Sequence, residues 1–231
     1  MLENQEQTPG IRAALYVDGF NFYTPLDKRG EHWLKWLNLW KLGQIITEKS
    51  GETVVKVLYC SAKREGDHDA RDRHEAYIKA LRSVGVEPLM GHYMTGETHA
   101  CTNCGVVGSK DFEKQTDINL ALSLILDGLD NVYDTAYLLT ADSDQAATAR
   151  VFKDRLAVKK KKLVSVIPLN QIVSRKIANY APDPIELTIL EIERSVFPGP
   201  YVVSRGGTIR RPDKYEPPSH WVHPNDRKRK T

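Results

Sequence analysis

At 231 residues the chain has room for one substantial α/β domain with a C-terminal extension. Apolar residues make up 41%, enough for a packed core, and the net charge of +3 is compatible with a nucleic-acid partner without indicating one. No apolar run approaches the ~20 residues that cross a bilayer, which excludes a helical membrane span. The polar opening MLENQEQTPG lacks a signal-peptide pattern. Three cysteines, two of them in a single CxxC, argue against a disulfide scaffold and for a reducing, cytoplasmic setting.

Residues 1–10 read as a disordered N-terminus. Residues 11–17 (IRAALYV) form a continuous apolar run, as expected of a strand covered on both faces. HWLKWLNLWKLGQIIT places Leu34, Leu37, Trp40 or Leu42, and Ile45 at helical spacing. Residues 53–59 predict a second strand, and 69–83 a charged helix ended by Gly85. Residues 86–93 predict a third strand, followed by a Gly- and Cys-containing insertion over about 95–110. DINLALSLILDGL is apolar almost all round, so a deeply buried helix is expected. TAYLLTA and KLVSVIPL are strands four and five, separated by the helix SDQAATARVFKDRL. Residues 171–197 read as mostly helical, with Pro182 and Pro184 breaking the run. From 198 to 231 an extended, basic tail is expected.

The alternation of strands and helices predicts an α/β sandwich around a mainly parallel sheet. In such sheets ligands sit outside the carboxyl ends of the strands. Asp18 follows strand one, Asp142 and Asp144 follow strand four, and Asp117 opens the helix leading into strand four. If strands one and four are neighbours, the four carboxylates meet on one rim, where Gly19 permits a sharp turn and Asn21 can orient Asp18. Clustered carboxylates repel one another without a cation. A hard divalent ion such as Mg²⁺ binds one or two of them and completes its shell with water and phosphate oxygens. Asp117 also suits a helix N-cap or first turn and Asp144 a cap of the next helix, whereas Asp18 and Asp142, directly after buried strands, do not invite that explanation.

VDGFNFY, EKQTDINLAL and TAYLLTADSDQ resemble, in order and spacing, the three signature stretches of NYN domains, the LabA-like branch of the PIN-like nuclease superfamily. LYCSAKREGDHDARDRHEAYIKALRSVGVEPLMGHY is similar to that family's middle section, and the likeness covers roughly 11–215. The resemblance implies a Rossmann-like αβα fold over 11–197, an Mg²⁺ or Mn²⁺ site at Asp18, Asp117, Asp142 and Asp144 with Asn21 beside it, and endoribonuclease activity on RNA. The alternative is a non-catalytic RNA-binding or regulatory NYN module. Ala141 and Gln145 depart from residues common in the family, and neither removes a carboxylate.

Lys63, Arg64 and Arg71 follow strand two, Lys110 and Lys114 precede Asp117, and Arg175 and Lys176 follow strand five, so all are candidates for phosphate contact on the aspartates' side. The Lys159–Lys162 run precedes strand five and is expected to be a solvated turn facing away. Cys101 and Cys104, with His99 or His92, resemble half a zinc knuckle. A structural zinc needs four ligands, so Cys60 or a second chain in a homodimer would have to complete it. His32, His68 and His74 are expected to face solvent. Trp33, Trp36 and Trp40 include core positions, leaving an exposed indole as a candidate base-stacking surface.

Overall fold

The computed structural model describes residues 10–62, 67–97, 104–172 and 174–227, excepting the side chains at 95, 97 and 109–113. A seven-stranded sheet runs in the order β4-β3-β2-β1-β5-β6-β7. Its members are β1 (Arg12–Asp18), β2 (Thr53–Ala62), β3 (Glu87–Glu97), β4 (Ser109–Lys114), β5 (Thr135–Leu139), β6 (Lys162–Ile167) and β7 (Ile185–Glu186). Six strands are parallel; β4 alone runs antiparallel, on the edge beside β3. The chain therefore has the Rossmann-like αβα fold expected of it. The strands read as strands four and five are β5 and β6.

Side-chain alternation along β1 explains the two layers. Ala13, Leu15 and Val17 enter one core with α1 (Gly19–Lys28), α2 (Leu39–Thr47), α3 (His68–Ser83) and α7 (Ile189–Ser195). Ala14 and Tyr16 enter the other, with α4 (Thr116–Leu129) and α5 (Ala146–Arg155). Both faces of β1 are covered, and its run is accordingly apolar throughout. From β1 the chain winds outward through β2 and β3, then returns to the other side of β1 to lay down β5 and β6. The strand order thus reverses between β1 and β5, where an open α/β sheet leaves a crevice at its carboxyl edge.

Several expectations need correction. The segment 32–47 is a 3-10 turn (His32–Lys35) followed by α2, not one helix. Leu37 forms a bridge with Val196, and the Asn38 N–H donates to the Ser195 carbonyl, so this backbone cannot continue a helix. The Asn38 side chain then accepts from Lys41 N and starts α2. The stretch directly after Asp18, for which the sequence pattern predicts no element, forms α1. The region 171–197, expected to be mostly helical, holds the short α6 (Arg175–Ala178) before the prolines and strand β7 between them and α7. The helix α4 buries only one stripe, through Leu120 and Leu124, and exposes Ile118, Leu122, Leu126 and Leu129. It covers one face of the sheet without a further layer over it.

The stretch from 198, expected as an extended tail, folds back onto the domain. Strands β8 (Tyr201–Ser204) and β9 (Gly207–Arg210) form a hairpin, and Val202 and Tyr215 join the larger core. Trp221 lies 4.6 Å from Trp33 between ring centroids and donates from Nε1 to Glu193. Arg227 pairs with Glu193 at 2.7 Å. Isolated aromatics anchor this segment, and anchors without periodicity leave no helix or strand pattern to read. Residues 1–9, 98–103 and 228–231, with the expectations that fall on them, lie outside the described residues. Among the described residues no helix is long and apolar enough to cross a membrane.

Candidate active site at the carboxyl edge of the sheet

Asp18 ends β1, and the next strand over, β5, ends one residue before Thr140; Val17 and Leu139 are register partners. This neighbourhood brings the carboxylates of two strand ends to one crevice. The turn out of β1 is tight. A Cβ on Gly19 would lie 2.5 Å from the Cys60 carbonyl oxygen and 2.9 Å from the Tyr59 ring, so only glycine lets α1 start against β2.

Asp18 is 5% exposed and accepts three hydrogen bonds: from Asn21 N at 3.1 Å, Asn21 Nδ2 at 2.8 Å and the Thr140 hydroxyl at 2.8 Å. Thr140 is itself buried, and its hydroxyl accepts from Asp142 N at 3.0 Å. One hydroxyl thus ties the β1 carboxylate to the loop after β5. Asp142 in turn accepts from Asp144 N at 2.9 Å. Asp117 enters from the opposite layer, in the first turn of α4. That turn is set by Gln115, a non-glycine residue at φ 73°, and by close approach of the Lys114 carbonyl to Gly91 of β3. Gln145 is 2% exposed; it donates from Nε2 to the Asp117 carbonyl at 3.3 Å and accepts from Thr148 at 2.8 Å.

Asp117 links the carboxylates electrostatically. Burial raises the Asp18 carboxyl above its ordinary range, against its hydrogen bonds from Asn21 and Thr140, and the Asp117 charge raises it further. Asp117 is raised by burial and by the charges of Asp142 and Asp144. Among the described residues no three ligating side chains are already drawn to coordination spacing. Magnesium needs only one or two carboxylates, with water and phosphate oxygens completing its shell. A set of hard oxygen donors in which Asp18 and Asp117 are each raised by neighbouring carboxylate charge suits such an ion.

The capping roles differ from those expected at Asp18, Asp142 and Asp144, while Asp117 takes the first-turn place expected as one of its two. Asp18 caps α1 and Asp142 caps the 3-10 turn Ser143–Gln145, whereas Asp117 and Asp144 lie inside first turns without capping them. A strand-to-helix turn needs an N-cap acceptor wherever it occurs, so a carboxylate directly after a strand serves both purposes. Thr140 and Gln145 were not singled out as site residues. Gln145 stood out only as a departure from the family pattern, and Thr140 carried no signal beyond preceding Asp142.

Of the basic candidates, Arg71 is exposed in α3 and Lys114 is exposed at the end of β4. Arg175 and Lys176 are exposed at the start of α6, which lies against the turn carrying Asp144. Lys63, Arg64 and the side chain of Lys110 lie outside the described residues. Lys161 is no solvated turn residue: its ammonium is 3.2 Å from Asp134 and is bonded to the Tyr133 carbonyl, at the far edge of the sheet. His99 and Cys101 lie outside the described residues, Cys104 is exposed, and Cys60 is buried in the core under α4. His92 is exposed and 3.2 Å from the Gln115 side-chain oxygen. Trp33 and Trp36 are buried and Trp40 is half-buried, so none of them is a bare stacking surface. His74, expected in solvent, lines a cleft of about 360 Å³ that begins at Gly19.

Comparison with known proteins matches this architecture. A crystal structure of a protein of unknown function, VPA0982 from Vibrio parahaemolyticus RIMD 2210633, superposes with a TM-score of 0.52 at 18% identity, covering 79% of this chain and 97% of that one. It shares the fold. The chain is also 26% identical over 176 residues to 6-hydroxy-3-succinoylpyridine 3-monooxygenase HspA of Pseudomonas putida (strain DSM 28022 / S16). That match takes in 62% of this chain and 56% of the relative, so the chain spans little more than half the relative's length. The NYN domain model matches residues 12–186, which include all four aspartates. The chain therefore belongs to the NYN domain family, within the PIN-like nuclease superfamily.

Proposed function

We propose that the protein is a metal-dependent endoribonuclease that hydrolyses RNA phosphodiester bonds at the rim formed by Asp18, Asp117, Asp142 and Asp144. The observation that carries this reading is the placement of the four carboxylates along the switch-point crevice, where Asp117 raises Asp18 and is itself raised by Asp142 and Asp144. The nuclease-type fold of the family supports it. A Mg²⁺ or Mn²⁺ ion held by these carboxylates would supply an activated water and neutralise charge on the phosphate. The chain's own residues do the rest. Asn21 and Thr140 fix the Asp18 carboxylate, and Thr140 also fixes the backbone of Asp142. Gln145 holds the first turn of α4, and with it Asp117, against the turn after β5. Arg71, Lys114, Arg175 and Lys176 are placed to meet the phosphates of a bound strand.

A second reading, in which the domain binds RNA or another ligand without cutting RNA, draws on the monooxygenase name carried by the Pseudomonas relative. Labelled single-stranded and structured RNA and DNA, incubated with EDTA or each divalent ion, separate the two. The nuclease reading expects cation-dependent cleavage by the wild type and none by Asp142→Asn or Asp18→Asn. Equal cleavage by the wild type and both variants would refute the assigned mechanism. RNA bound but left intact under every ion would favour the second reading.

A further inference from the structure

The cleft beside Asp18 has the chemistry of a nucleotide site. Its volume of about 360 Å³ lies within the range of ligand pockets, ~300–1,000 Å³. One wall is the outer face of α1, where Phe20 is 50% exposed and Tyr23 41% exposed. These two are three residues apart in the helix and so share a face. The Tyr23 ring is held in place: the Lys35 ammonium sits 4.4 Å from its centroid and bonds its hydroxyl, while Lys35 itself is 4% exposed and paired with Asp27. The other wall is the first half of α3, which brings Arg71 and Arg73 to the cleft. Tyr215 forms part of the lining as well. Tyr215 comes from the folded-back C-terminal segment, beyond residues 12–186 where the family model matches.

Exposed aromatic rings facing guanidinium groups, next to a carboxylate rim, combine the two contacts a single nucleotide offers: a flat base and a phosphate. We propose that this cleft is a nucleotide subsite. It takes a base unstacked from the strand beside the reacting phosphodiester, with Phe20 and Tyr23 as the stacking surface and Arg71 and Arg73 on the adjoining phosphate. The C-terminal segment completes the site through Tyr215. A base held in a duplex cannot enter, so the site selects single strands. The placement beside the reacting phosphodiester rests on the nuclease reading, but the subsite itself is a matter of binding and can be measured without cleavage.

The experiment uses the full chain carrying Asp142→Asn and a short fluorescently labelled single-stranded RNA, read by anisotropy. Adding Phe20→Ala should weaken binding between about fivefold and 150-fold, the range set by loss of one base–aromatic stack. Phe20→Tyr should keep the affinity, because it keeps the ring. Arg71→Ala should reduce the slope of log affinity against log salt by about 0.7, the release expected for one single-strand phosphate. A duplex of the same sequence should bind more weakly than the single strand. Unchanged affinity in Phe20→Ala, an equal loss in Phe20→Tyr, or a duplex bound as tightly as the strand would each overturn the subsite. Failure here is distinct from failure of the nuclease reading. Binding through Phe20 together with RNA left uncut by the wild type under every divalent ion sinks the nuclease and keeps the subsite; RNA cut by the wild type, with binding indifferent to Phe20, does the opposite.

Discussion

Replacing Gly19 by alanine puts the strand-to-helix turn under direct test. The new methyl would stand 2.5 Å from the Cys60 carbonyl oxygen, 2.9 Å from the Tyr59 ring and 3.0 Å from Ser61 Cβ. The carbonyl belongs to β2, the parallel neighbour of β1 in the middle of the sheet, with Cys60 registered on Asp18. It cannot swing aside as a surface side chain would, so α1 has to move instead. Overpacking of this kind costs about 1–3 kcal/mol. At about 2–4 °C per kcal/mol for a chain of this size, the melting temperature should fall by about 2–12 °C. Because Asp18 is the preceding residue, the displacement also disturbs its bonds to Asn21 and Thr140 and should lower any cation-dependent activity. Gly43 in α2 gives the contrast. Its added Cβ meets Val54 at 3.5 Å and Leu15 at 3.7 Å, ordinary contacts. Gly43→Ala should therefore gain up to about 1 kcal/mol of helix propensity. Thermal unfolding followed by circular dichroism compares the two. A Gly19→Ala variant that melts at or above the wild-type temperature would refute the close approach.

Three further outcomes follow from single contacts. Thr140→Val removes the hydroxyl that joins Asp18 to Asp142, leaving a buried acceptor and donor short of a partner; a loss of about 1–3 kcal/mol in urea unfolding is expected, with Thr140→Ser close to wild type. Asp134 is held below the usual carboxylate range by the hydrogen bond from the Arg12 guanidinium, so its contribution is present at pH 7 and is lost as pH falls below ~3.9 toward the depressed value. The pair is about one-third exposed, so screening limits the effect to about 1 kcal/mol or less; the gap in melting temperature between wild type and Asp134→Asn should narrow as the pH is lowered from 7 to 3. Saturating Mn²⁺ or Mg²⁺, at one hundred times its dissociation constant, should stabilise the wild type by about 2.7 kcal/mol and leave Asp18→Asn unmoved; equal shifts in both would remove Asp18 from the cation site.

Much of the fold was legible because its strands are buried on both faces. Strands β1, β2, β5 and β6 stand out as apolar runs, and the crevice follows from carboxylates placed directly after β1 and β5. What escaped was set by contacts between distant residues. The break before α2 depends on Leu37 meeting Val196, and the ordered C-terminal segment depends on Trp221 reaching Trp33. Neither contact leaves a period in the sequence. Capping departs from expectation for a physical reason: Asp18 ends β1 and Asp142 lies three residues after β5, both also start helical turns, and the strand signal hides the cap. α4 was read as buried from its composition, but a helix covering one face of a sheet buries only one stripe. The cleft was invisible because Phe20, Arg71, Tyr93 and Tyr215 come from four separate parts of the chain.

In the proposed reaction the aspartate rim directs water at phosphorus with the help of a divalent cation. The ends of the RNA fragments test it most directly. Water as the nucleophile leaves a hydroxyl and a linear phosphate at each cut, formed by wild type with Mg²⁺ or Mn²⁺ and absent with EDTA or in Asp142→Asn. Fragments ending in a 2′,3′-cyclic phosphate, produced equally in EDTA and by Asp142→Asn, would contradict the account.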